Sequence, residues 1–249
     1  MTTRIALIGY GKMGQFIANL ASEQNCQIVA TIDPVHPDSA RIISAENLAY
    51  AEVCIDFSHP SAVLQNIKQV LELGKPLVVG TTGWHNHLEE VRQWVEKSGT
   101  GLVYGANFSI GMNLFSRLIA EAVKAFDKFS AYDVYGLEMH HHQKADSPSG
   151  TAIELSKIIL ENSSHKNAAL FDPAYRRIEP YELHFASLRA GSIPGTHTVG
   201  FDCEADTVEL THRVRSRSGF ALGALQAAKW LKEHKGFYSF SQVISDILC

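Results

Sequence analysis

Residues 138–152 read Glu-Met-His-His-His-Gln-Lys-Ala-Asp-Ser-Pro-Ser-Gly-Thr-Ala and bring two kinds of chemistry together. His140, His141 and Lys144 can donate protons or meet negative charge. Ser149-Gly150-Thr151 then opens a helical pattern through Ala152, Leu155, Ile158 and Ile159, and a helix start offers free N–H groups to an anion. One short segment can therefore hold a carboxylate, at Gly150 and Thr151, and protonate what is attached to it.

A second segment bears on a cofactor. Gly9-Tyr10-Gly11-Lys12-Met13-Gly14 fits G-x-G-x-x-G, follows an apolar run at Ile5–Ile8 and opens a helix. Gly9 suits the tight turn, Gly11 the backbone's approach to a pyrophosphate, and Gly14 close helix–strand contact. Asp33 ends the next strand, where a carboxylate accepts from a ribose diol and repels a 2′-phosphate, so NADH is expected ahead of NADPH. Gly80-Thr81-Thr82 and Gly105-Ala106-Asn107-Phe108 follow the fourth and fifth strands, the place where ligands bind in open α/β sheets.

Around these motifs the chain alternates strand and helix. Strands are predicted at residues 4–8, 27–32, 53–57, 77–79 and 101–104, with helices at 61–73 and 88–97, the pattern of a parallel, doubly wound sheet. After Asn107 come a long helix at 112–126, strands near 132–139, 182–188, 197–201 and 208–214, and a helix from 220 to 233. The boundaries drawn are 1–108 for the nucleotide domain and 109–219 for the second, with residues 220–249 packing back on the first.

The chain has 249 residues, is 45% hydrophobic and carries a formal net charge of −4, which argues against nucleic-acid binding. Cys26, Cys54, Cys203 and Cys249 are scattered and read as buried free thiols. No signal peptide or membrane-length apolar run is found, so a cytoplasmic enzyme without membrane association is expected. Glu138, His140 and His142 alternate onto one strand face, but no second cluster completes a metal site, and none is expected. His142 reads as a bystander; His59, His85, His87, His165 and His234 read as surface residues. Arg213, Arg215 and Arg217 read as a solvated strand face.

Taken together the motifs resemble the dihydrodipicolinate reductase family of diaminopimelate and lysine biosynthesis. The resemblance rests on Asp56-Phe57-Ser58, Val79 to Gly83, Ala106 to Asn113, the segment Glu138 to Thr151, Ser187 to Gly191, Gly195 to Val199, Thr211-His212-Arg213 and Phe220 to Ala224. It implies a Rossmann-like parallel-sheet domain, a smaller α/β substrate and oligomerisation domain with a mixed open sheet, and a homotetramer. It also implies NAD(P)H-dependent reduction of a small cyclic dicarboxylate, 4-hydroxy-tetrahydrodipicolinate. His140 matches the family's proton donor, Lys144 its catalytic lysine, His141 a substrate contact, and Gly150 and Thr151 the carboxylate-holding N–H groups. Two departures touch the cofactor end: the glycine loop is one residue shorter than in many members, and Lys12 stands where arginine is common. The other readings are a different amino-acid-type dehydrogenase and a non-catalytic NAD(H)-binding regulator.

Overall fold

A computed structural model describes residues 2–171 and 173–248. They form two compact units, residues 2–113 with 217–248, and residues 114–216 apart from 172.

The first unit is built on Ile5 to Ile8, which are at most 2% exposed because this strand is covered on both faces. Its elements are β1 (Thr3–Ile8), α1 (Lys12–Ala21), β2 (Cys26–Ile32), β3 (Val53–Asp56), α2 (Val63–Glu72), β4 (Leu77–Val79), α3 (Leu88–Ser98) and β5 (Gly101–Tyr104). The next helix, α4 (Ile110–Phe126), contains the division between the units. The second unit follows with β6 (Asp133–His140), α5 (Gly150–Asn162), β7 (Ala168–Leu170), β8 (Glu182–Arg189), β9 (Thr196–Asp202) and β10 (Thr207–Arg213). The chain then returns to the first unit with α6 (Ser218–Leu231), β11 (Gly236–Ser239) and α7 (Phe240–Ile247).

The first sheet runs β11-β5-β4-β3-β1-β2, and all its pairings are parallel. Between β1 and α1 the chain reverses at Gly9, whose φ of +85° is a conformation that favours glycine. A side chain there would overlap the Phe57 carbonyl, and one at Gly14 would overlap the Gly9 carbonyl. The helix begins one turn earlier than the glycine pattern suggests: Gly11 is its N-cap and Gly14 already lies inside it. Val63, Ile67, Val70 and Leu71 of α2 are buried in one core with Leu77, Val79, Trp84, Val91 and Val95.

The second sheet is mixed, in the order β10-β9-β6-β8-β7. β6, β8 and β7 pair in parallel, whereas β9 is antiparallel to β6 and β10. Along β6 alternate residues Val134, Gly136, Glu138 and His140 are buried, so period two sends Glu138 and His140 to one covered face. The strand ends at His140, which leaves His142 outside it and exposed. β10 is mostly exposed rather than half-covered, because it is an edge strand.

Cys26 and Cys54 are buried free thiols, and burial raises the Cys54 thiol to about 12. Cys203 is only half-buried, a correction to the uniform burial expected from the sequence, since it sits in the exposed turn before β10. Cys249 lies outside the described residues. Among the described residues no helix is long and apolar enough to cross a membrane.

Candidate active site

In the first unit the glycine turn lines a cleft of about 490 Å³ together with Ile32, Asp33, Pro34, Arg41 and Ser58. Gly11 has open space where a side chain would stand, and as N-cap it offers no capping side chain to the first-turn N–H groups of α1. An anion can approach that backbone directly. Tyr10 and Met13 are half-buried, and Lys12 is exposed beside them.

Asp33 is more occupied than a purely ligand-facing carboxylate. Its Oδ2 accepts from the Tyr10 N–H at 2.8 Å, and its Oδ1 accepts from Val35 at 2.8 Å and His36 at 3.0 Å. Partial burial alone would raise its pKa, but these backbone donors hold it below the usual carboxylate value. It therefore pins the glycine loop and stays negative. Sequence reading missed Arg41, whose guanidinium donates to the Pro34 carbonyl and brings a cation into the cleft that Asp33 lines.

The two segments after β4 and β5 are partly structural. Thr81 donates to the buried Asp56 carboxylate at 2.6 Å and accepts from the Ser58 N–H at 2.8 Å, so its hydroxyl is committed. Asp56 also accepts from the Ser58 hydroxyl and Asn66, and its burial still raises its pKa. The Phe108 ring is 1% exposed and packs on Phe57 and Phe240. Asn107 accepts from the Ser109 N–H at 2.9 Å. Gly80 and Gly105 are half-covered and packed against Phe57 and against Phe108 and Phe240, whereas Thr82 and Ala106 are exposed and open to a ligand.

In the second unit β6 delivers Glu138 and His140, and the loop after it delivers His141 and Lys144. Lys144 Nζ pairs with Asp146 at 2.8 Å and remains partly exposed. His141 is half-buried, and the His142 ring lies 2.8 Å from the Gly191 carbonyl. Ser149 caps α5 by accepting from the Ala152 N–H at 3.2 Å, and its carbonyl takes the Ile153 N–H. The N–H groups of Gly150 and Thr151 precede these and have no acceptor within the helix. Gly150 is exposed, with open space around its α-carbon.

Glu138, Arg189 and His197 were legible only as motif letters; the fold joins them. Arg189, from the end of β8, donates to Glu138 Oε1 at 2.9 Å and to the Asp146 carbonyl at 2.6 Å. It thereby ties the Lys144 loop to the strand. Burial would raise the Glu138 pKa, but the neighbouring His197 imidazole and donors from Ser149, Arg189 and Ser187 carry it well below the usual range. His197, on β9, completes a set with Glu138 and His140 whose ligand atoms lie within 4.8 Å of one another. A divalent cation could bridge that spacing, and His197 is the third partner the sequence did not reveal. The Arg189 guanidinium already meets the charge of this carboxylate.

Burial lowers the His140 pKa to about 4, with His197, Lys144 and Arg189 opposing protonation and Glu138 favouring it. Its ordinary value is near 6.5, so below that pH the unfolded chain binds a proton the folded one refuses. Stability must then fall as pH drops from 6.5 to about 4, with no further contribution below. Between pH 7 and pH 4.5 the chain is expected to lose about 2–3 kcal/mol more unfolding free energy than its His140→Gln variant. Urea unfolding of both proteins at both pH values checks this, and parallel losses would contradict it.

The first unit's parallel sheet and the second unit's mixed sheet define a two-sheet α/β architecture. An amine dehydrogenase from Mycobacterium smegmatis shares it, with a TM-score of 0.61 and 12% identity over 97% of this chain and 96% of that one. The chain belongs to the dihydrodipicolinate reductase family: residues 3–108 match the family's N-terminal model and residues 111–244 its C-terminal model. The 4-hydroxy-tetrahydrodipicolinate reductase of Christiangramia forsetii is 37% identical over 98% of each chain. That of Zymomonas mobilis is also 37% identical, over 98% of this chain and 97% of its own. In fold the chain matches a dipicolinate-bound dihydrodipicolinate reductase from Paenisporosarcina, with a TM-score of 0.79 and 24% identity over 98% of this chain and all of that one.

Proposed function

We propose that this chain reduces 4-hydroxy-tetrahydrodipicolinate to tetrahydrodipicolinate, the step its relatives are named for, in diaminopimelate and lysine biosynthesis. The carrying observation is the second-unit cluster: His140 and Lys144 precede a capped helix start whose Gly150 and Thr151 N–H groups are open to a carboxylate. The reduced nicotinamide supplies the hydride when bound. Gly9, Tyr10, Gly11, Lys12 and Met13 would hold its pyrophosphate, with Gly14 letting α1 pack close to the turn, and Asp33 would take the ribose. Gly80, Thr81, Thr82 and Gly105 to Phe108 flank it through backbone and exposed positions.

His140 and Lys144 perform the chain's own chemistry. Gly150, Thr151 and His141 fix the substrate carboxylate, which orients the ring before transfer. With the 4-hydroxyl lost as water, hydride addition to the unsaturated ring leaves an electron pair on the substrate, and a proton from the His140–Lys144 pair would quench it. In the free chain His140 is neutral at neutral pH, because burial holds its pKa at about 4. An arriving dicarboxylate supplies the negative charge that raises it, so substrate and proton enter together.

We also infer NADH as the preferred cofactor, from the Asp33 carboxylate, and a homotetramer in the cytoplasm, from the family resemblance. The test of the function is loss of NADH absorbance with substrate generated in situ by dihydrodipicolinate synthase from pyruvate and aspartate semialdehyde. Oxidation dependent on the synthase product supports the reading. Cofactor binding without turnover would overturn it in favour of a sensing role.

A further inference from the structure

Glu138 is 0% exposed, yet its two oxygens are used differently. Oε1 accepts from the Ser149 N–H at 2.9 Å, the Ser187 hydroxyl at 2.8 Å and the Arg189 guanidinium at 2.9 Å. Oε2 has no aligned donor among the described residues, although His140 Nδ1 stands 3.2 Å away and His197 Nε2 3.5 Å away. His140 Nδ1 is likewise buried and without an aligned partner. An unpaired buried polar atom costs about 1–3 kcal/mol, and a slight turn of the ring satisfies both atoms at once. Glu138 is ionised and can only accept, so the shared proton sits on Nδ1.

The opposite edge of the ring has the opposite environment. Gly195, with φ +152°, faces Nε2, and a Cβ there would stand 3.2 Å from that nitrogen. The absent side chain keeps the space beside Nε2 clear. His197 lies edge-on to the ring, 5.2 Å between centroids at 72°, and limits its rotation. The charged groups around the imidazole are Glu138 on the same strand, Lys144 (paired with Asp146) in the following loop, Arg189 from β8 and His197 from β9. Among these Glu138 favours an imidazolium and the three cationic or imidazole groups oppose it.

We propose that Glu138 is a positioning residue for His140: its Oε2 fixes the imidazole with Nδ1–H turned inward, so that Nε2 carries the proton delivered to the substrate on the side kept open by Gly195. This rests on His140 being the proton donor of the reaction proposed above. In that step the 4-hydroxyl has left as water, and the unsaturated ring that results gains a hydride from the reduced nicotinamide, which is oxidised, and a proton from Nε2. The N–H bonding pair stays on Nε2 as a lone pair, and the imidazolium becomes a neutral ring with its proton on Nδ1.

The test combines a spectrum with kinetics on the full chain. Nitrogen-15 histidine NMR near pH 7, assigned with His140→Gln, is expected to show His140 protonated at Nδ1 and bare at Nε2. Glu138→Gln is expected to lower kcat about 10- to 100-fold with KM little changed, because only transition-state proton transfer suffers. The limb along which kcat falls at high pH should move down by about one unit or more, since the carboxylate no longer supports the imidazolium. A proton on Nε2 in the wild-type spectrum, or an unshifted pH profile in the variant, overturns the proposal. If Glu138→Gln does not fold, the wild-type spectrum decides alone. An Nδ1-protonated His140 in a chain that never turns over would sink the proposed reaction, and the catalytic half of this inference with it, while leaving the Glu138–His140 geometry standing.

Discussion

Lys144→Ala is expected to lower kcat by about 10²- to 10⁴-fold, and His140→Gln to lower it by no more than that, with NADH affinity little altered in both. The reasoning is electrostatic. His140 is neutral in the free chain because burial sets its pKa at about 4, whereas Lys144 brings a positive charge held to the loop by Asp146. Removing Lys144 deletes both a charge that draws in the dicarboxylate and the partner that shares proton delivery. Removing His140 deletes the imidazole but leaves the ammonium. Neither residue belongs to the unit that contains the glycine turn, so cofactor affinity is the internal control. Steady-state kinetics with in-situ substrate, alongside fluorescence titration with NADH, separates the two quantities. Near-wild-type turnover in both variants would dismiss the assigned roles.

The second large effect is cofactor choice. The kcat/KM with NADH is expected to exceed that with NADPH by about tenfold or more. A carboxylate near a 2′-phosphate faces more than one negative charge, at about 1 kcal/mol per unit charge near 4 Å even in water, and 1.4 kcal/mol is tenfold. Asp33→Ala should bring the two cofactors closer to parity while also weakening NADH use, because the same carboxylate anchors the Tyr10, Val35 and His36 N–H groups. Arg41 works in the other direction, as a cation lining the same cleft, so Arg41→Ala should widen the preference. Equal or better efficiency with NADPH in the wild type would overturn the argument.

Much of this was present in local sequence. Ile5 to Ile8, Val53 to Ile55 and Leu77 to Val79 are continuous apolar runs, and doubly covered strands need such runs whatever their neighbours are. The Ser149 cap was readable because capping depends on residues three apart, and it is present as a bond to Ala152. Elements whose existence depends on distant partners were not legible. β11 is four half-buried residues that become a strand by lying beside β5, and α7 is a short helix fixed by a Ser239–Gln242 capping box. Ala168–Leu170 became β7 only through β8.

The same division runs through the candidate site. The sequence by itself determined the alternation of strand and helix in the first unit, the glycine turn before Asp33, and the helix start at Ser149 to Thr151, because each of these is written in residues close together in the chain. Only the tertiary structure decided that Glu138 is a buried anion beneath His140, since its donors Ser187 and Arg189 lie 49 and 51 residues away. It also decided that Thr81 and Phe108 spend their side chains on Asp56 and the core. The physical reason is the same in each case: burial and charge pairing are set by what surrounds a residue in space, and neither has a local period that a sequence can display.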